Sequence, residues 1–117
     1  MYDNIEEEAR HLERVDAALK NMPSEEGLSL MGARFKALSE PSRLKILFIL
    51  CGGELCVEHI TQAVGGNQSA VSHQLKTLKD CRIVKSRRSG KNVLYSLSDE
   101  HVIKMMQSAK EHLNCNE

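Results

Sequence analysis

The chain has no run of about eighteen apolar residues, the minimum for a helix that crosses a bilayer. Its opening stretch from Met1 to Arg10 is polar and acidic, without the basic-then-apolar order of a secretory leader. These two absences predict a cytoplasmic protein with no membrane partner. Net charge is also missing, because 16 Lys and Arg balance 16 Asp and Glu. Taken as a sum, that neutrality argues weakly against nucleic acid. No nucleophile and base recur at a spacing that would set them in one cleft, so no catalytic residue, small-molecule substrate or enzymatic activity is expected. Cys51, Cys56, Cys81 and Cys115 are scattered evenly. In a reducing compartment they read as buried thiols or metal ligands rather than a disulfide framework.

What is present reverses the inference from net charge. Lys76, Lys79, Arg82, Lys85, Arg87, Arg88 and Lys91 cluster against the single acid Asp80, while Glu6, Glu7, Glu8, Glu13, Asp16, Glu25 and Glu26 lie near the start. Charges separated by more than a Debye length of about 10 Å hardly cancel, so the basic cluster keeps its local field.

At 117 residues the chain is expected to form a single domain, 1–117, with a core modest enough to gain from a partner subunit. Ile5, Leu12, Val15 and Leu19 recur at helical spacing and predict an amphipathic helix over 5–20. Pro23 to Gly27 reads as a turn before a second helix over 28–38. Ser39 reads as the N-cap of a third helix over 42–50, with Pro41 in its first turn. Residues 55–64 read as a short helix broken by Gly65 and Gly66, and Asn67 as the N-cap of the next helix, 68–78. Two short helices joined by a Gly- and Asn-rich turn make a helix-turn-helix over 55–79. Val71, Leu75 and Leu78 form the inward stripe of its second helix. Gln68, Ser69, Ser72, His73 and Lys76 are left for base edges and phosphates.

The period of two in Val93, Tyr95 and Leu97, with Ser89-Gly90 as the turn, predicts a β-hairpin wing over 82–98 with Arg87, Arg88 and Lys91 at its tip, where with Lys76 they are expected to pair with DNA phosphates or enter a minor groove. A final helix over 99–115 carries Asp99, His101, His112 and Cys115. The whole is mainly α with a small β-hairpin: four helices, a recognition helix, two strands and a last helix. The two terminal helices, 5–20 and 99–115, are expected to bury their apolar stripes in a homodimer.

His101 and His112 lie roughly 16 Å apart along a helix but only about 20° apart around it. Metal-nitrogen bonds near 2.0 Å prevent one ion from touching both. Two antiparallel copies solve this, with Asp99 and His101 of one chain meeting His112 and Cys115 of the other. Glu117 is an alternative fourth donor. This donor set suits tetrahedral zinc, with cobalt or cadmium as substitutes. Each such site ties the start of one terminal helix to the end of the other and fixes the relative orientation of the two winged units. Those units must lie about 34 Å apart to read a palindromic operator in double-stranded DNA.

From Phe35 onward the chain resembles the ArsR/SmtB family of winged-helix metal-sensing transcriptional repressors. The likeness is carried by LSEPSRLKILFIL (Leu38 to Leu50), ELCVEHI (Glu54 to Ile60), QSAVSHQLKTLKD (Gln68 to Asp80) and SGKNVLYSL (Ser89 to Leu97). It implies a homodimeric repressor that leaves its operator when zinc or a similar divalent ion binds. Sensors of the terminal-helix type in that family carry the pattern of Asp99, His101 and His112, and Cys115 stands where Glu or His is usual. The family's second metal site uses the cysteine of the ELCV motif. The resemblance therefore points also to a possible second metal site at Cys56, His59 and His11, although Glu58 replaces that site's second cysteine. Two alternatives stand beside the metal sensor. One is a thiol- or redox-sensing repressor of the same fold, and the other is a constitutive DNA-binding protein without inducer.

Overall fold

The computed structural model describes residues 2–115, and the chain divides after Met31 into two compact units. The elements are α1 (Tyr2–Lys20), α2 (Glu25–Leu38), α3 (Pro41–Leu50), β1 (Leu55–Cys56), α4 (Val57–Val64), α5 (Gln68–Asp80), β2 (Val84–Ser89), β3 (Asn92–Leu97) and α6 (Glu100–Leu113). Glu117, the alternative metal donor, lies outside the described residues. Among the described residues no helix is long and apolar enough to cross a membrane.

The first unit holds α1 and the start of α2. Ile5, Leu12, Val15 and Leu19 line α1 as expected, and all four are exposed. Helix α2 begins at Glu25, earlier than the expected Leu28. The reason is local: the Ser24 hydroxyl accepts the Gly27 N–H at 3.0 Å, and Glu25 and Glu26 place negative charge in the first turn.

Among the described residues the buried core lies in the second unit. Ala37 and Leu38 of α2, Ile46, Leu47 and Leu50 of α3, Ile60 of α4, and Val71, Leu75 and Leu78 of α5 pack with Ile83, Val84, Leu97, Val102 and Met106. Helix α3 starts at Pro41 rather than Ser42, and Ser39 does not cap it. A residue before proline is driven to extended backbone, so Glu40, at φ −98° and ψ 124°, takes the cap position without a side-chain bond. The Ser39 hydroxyl instead donates to the Lys36 carbonyl at 2.7 Å and closes α2.

Residues 55–64 are not a single helix. Leu55 and Cys56 form β1, which pairs antiparallel with β3 (Leu55 with Tyr95, Cys56 with Leu94), and the helix begins at Val57. The sheet therefore has three strands in the order β1-β3-β2 rather than a bare hairpin. Gly65, at φ 77°, ends α4 in the left-handed conformation that glycine adopts without steric cost. In the hairpin Ser89 pairs with Asn92, so the two turn residues are Gly90 and Lys91 rather than Ser89 and Gly90. Gly90 supplies the positive φ of 63°. Helix α6 ends at Leu113, short of the expected Cys115, with Asn114 as its C-cap.

Candidate nucleic-acid interface and metal-ligand residues

Helix α5 is fixed at its start by Asn67, whose side-chain oxygen accepts the Ala70 N–H at 2.8 Å. Val71, Leu75 and Leu78 then anchor one stripe in the core, each no more than 2% exposed. Gln68, Ser69, Ser72, His73 and Lys76 are exposed. Gln74 donates to the Ser42 hydroxyl at 2.7 Å, a bond between α5 and the first turn of α3 across 32 residues of sequence. Sequence periodicity gave no sign of that bond, because its partners share no local pattern.

In the wing, Lys85, Arg88 and Lys91 are exposed and make no ion pair among the described residues. Arg87 differs. Its Nε donates to Glu54 Oε2 at 2.9 Å and its Nη2 to Glu54 Oε1, a two-point pair with the residue before β1. The donated bond holds the Glu54 carboxyl below its usual range, helped by the Arg87 and Lys85 charges, and the same pair raises Arg87. Glu54 belongs to the ELCVEHI motif, yet nothing in the local spacing marks it as a partner of the wing.

On α6 the structure brings two of the four expected metal donors together. Asp99 is the N-cap, with Oδ1 accepting the Val102 N–H at 3.2 Å, and His101 Nδ1 stands 3.5 Å from the same oxygen. The Val102 N–H is the main reason that the Asp99 carboxyl sits below its usual range, with His101 adding to it. The His101 side chain is 91% exposed. His112 is exposed in the last turn of the same helix. Cys115 is exposed just beyond it, where Sγ donates to the Glu111 carbonyl at 3.7 Å. Among the described residues no three His, Cys, Asp or Glu side chains of one chain gather into a group that could hold a metal ion.

The residues of the second expected site are placed as follows. Cys56 is half-buried at the N-cap of α4, and His59 is exposed on that helix. His11 belongs to the first unit, where Nε2 stands 3.9 Å from Glu7 Oε1. Cys51 is half-buried, and its thiol is pushed up by burial, with Lys110 pulling in the other direction.

A helix, a tight turn, a second helix with an exposed polar face and a basic hairpin together define a winged helix-turn-helix protein. Residues 40–86 match the family model described as bacterial regulatory protein, arsR family. A transcriptional repressor SmtB homolog from Synechocystis sp. is 42% identical over 103 residues, spanning 88% of this chain and 78% of that protein. A cadmium resistance transcriptional regulatory protein CadC homolog from Staphylococcus aureus is 37% identical, spanning 87% of this chain and 84% of that protein. Among solved structures, the homodimeric winged helix-turn-helix DNA-binding domain of a possible ArsR-family regulator from Mycobacterium bovis superposes with a TM-score of 0.73 at 30% identity. That likeness covers 80% of this chain and 89% of that one. The chain belongs to the ArsR/SmtB family of transcriptional repressors.

Proposed function

We propose that the chain is a homodimeric, metal-responsive repressor released from a palindromic operator when zinc, or cobalt or cadmium in its place, binds at sites shared by two copies of α6. The observation that carries this reading is the pairing of Asp99 and His101 at 3.5 Å on exposed side chains, with His112 eleven residues further along the same helix. A carboxylate, two imidazoles and the Cys115 thiolate are a donor set that fits a tetrahedral divalent ion. Asp99 and His101 of one copy would hold the ion with His112 and Cys115 of the other, since roughly 16 Å of helix separates the two histidines within a chain. The ion supplies a cross-link of fixed geometry.

Everything else falls to the protein. Gln68, Ser69, Ser72 and His73 face base edges, and Lys76, Arg88 and Lys91 face phosphates, so the spacing of two such units sets operator affinity. A site that joins the subunits favours one spacing, and its coupling to DNA is reciprocal. Support also comes from the relatives, whose names include a cadmium resistance regulator and an antimony-specific transcriptional repressor. Dimerisation draws support from the exposed apolar residues of α1 and from an apolar groove lined by Phe35, Leu38, Leu44, Met105 and Met106, with His101 also in its lining. For the thiol-switch alternative, burial disfavours the reactive thiolate at Cys51, which leaves the exposed Cys115 as the more accessible thiol.

The decisive experiment titrates zinc, cadmium, cobalt and nickel into the purified protein on its own promoter DNA. Zinc is expected to release the DNA, and His101→Ala or His112→Ala to abolish that release. Operator affinity indifferent to every ion would overturn the reading. Release by oxidant that survives both substitutions would favour the thiol switch instead.

A further inference from the structure

Arg87 and Glu54 lie 33 residues apart in sequence, yet two nitrogens of the guanidinium meet both carboxylate oxygens. The strand register defines what this pair crosses. Arg87 on β2 stands opposite Leu94 on β3, and Leu94 stands opposite Cys56 on β1, two residues after Glu54. Side chains alternate along a strand, and Val84 points into the core, so Lys85 and Arg87 lie on the opposite face of the sheet. The Arg87 side chain therefore runs over the central strand from one edge of the sheet to the residue that enters the other edge. Strand β1 is only two residues long, so few ladder bonds hold that edge. A forked charge-assisted pair adds two directional bonds where the ladder is thinnest.

We propose that Arg87 is a positioning residue for DNA binding: with Glu54 it straps the wing to the segment entering the helix-turn-helix, so that Lys85, Arg88 and Lys91 meet the backbone from a fixed position. This rests on the reading of the wing as a DNA contact. A guanidinium whose charge is matched at two points by a carboxylate offers a phosphate its remaining N–H groups but little net charge, whereas the neighbouring cations make no ion pair among the described residues. Spacing alone groups Arg87 with the phosphate contacts, and the ion pair removes it from them.

Salt dependence separates the two roles, because each phosphate neutralised contributes about 0.9 to the slope of log affinity against log salt. On a mixed-sequence duplex, Arg88→Ala is expected to lower affinity and flatten the slope by about that amount per chain. Arg87→Ala is expected to lower affinity severalfold and leave the slope unchanged. Arg87→Lys should behave like Arg87→Ala, since an ammonium keeps the charge but not the fork. A measurement without DNA completes the test: amide exchange at Leu55 and Tyr95, which pair across β1 and β3, should accelerate in both Arg87→Ala and Glu54→Gln. A slope that flattens in Arg87→Ala as in Arg88→Ala overturns the proposal, as does Glu54→Gln tightening DNA binding with exchange unchanged. If Arg88→Ala also leaves binding unaltered, the wing reading falls and the proposal with it. Faster exchange in Arg87→Ala would then mark the strap as purely structural.

Discussion

Arg82 has a φ of 60°, the left-handed conformation that costs a side chain with a Cβ. The bonds around it show why the chain holds it there. Arg82 N–H reaches the Lys79 carbonyl at 2.9 Å and Ile83 N–H the Leu78 carbonyl at 3.0 Å, the paired closure of a helix end that ordinarily has glycine in the left-handed position. Leu78 and Ile83 are both buried, so the closure delivers the chain from α5 into β2 with an apolar contact already made. Arg82→Gly should relieve the strain and stabilise the fold by about 0.5–1 kcal/mol, read as a higher denaturant midpoint at unchanged slope. At Glu54 the prediction concerns pH. Its folded pKa is lowered from an ordinary 4.5 by the Arg87 hydrogen bond, so the pair contributes stability above that value and loses it as pH falls through the folded one. Wild type should therefore melt above Arg87→Ala at neutral pH, and the two melting temperatures should converge in acid once the pH has fallen through the lowered pKa of Glu54. A difference that persists undiminished in acid would assign the effect to packing of the arginine stem.

At the scale of elements, α5 depends on its first turn. Asn67 satisfies an N–H that would otherwise lack a partner, and Asn67→Ala should cost about 1 kcal/mol by chemical denaturation. Asn67→Asp should retain most of it, since a carboxylate accepts the same bond and suits the helix N-terminus. This cap was legible in the sequence because its signal is local: an Asn after two glycines and before a periodic apolar stripe. The same kind of signal misled at Ser39, where proline fixed the helix start and left Glu40 in the cap position. Strand β1 was illegible for a different reason. Two residues carry no period, and Leu55 and Cys56 are extended because β3, some forty residues later, offers its edge. The Arg87 pair with Glu54 and the Gln74 bond to Ser42 belong to the same class, being made by topology rather than by neighbours. On α6 the spacing of Asp99 and His101 was readable, and the structure adds that the helix cap turns the carboxylate toward the imidazole.

At the scale of the whole molecule, the distribution of buried surface bears on the proposed dimer. Among the described residues the core is drawn from the second unit, whereas Ile5, Leu12, Val15 and Leu19 of α1 are each more than half exposed. A chain of this length buries a limited share of its apolar surface alone, and an amphipathic helix with an uncovered stripe is marginal in water. Both conditions are relieved when a second copy covers the stripe. Replacing Leu12 and Val15 together by Glu preserves helix propensity while placing charge where the partner would lie. The double variant should sediment as a monomer at concentrations where the wild type is a dimer, with the thermal unfolding of the second unit retained. Its operator affinity should fall at least tenfold, because two linked half-sites bind with an advantage of roughly 10²–10⁴ over separate ones. Zinc should then bind it weakly at best, because the proposed ligand set takes two donors from each chain. A variant that remains dimeric would remove α1 from the interface and leave α6, with its exposed Met105 and Leu113, as the surface on which association has to be built.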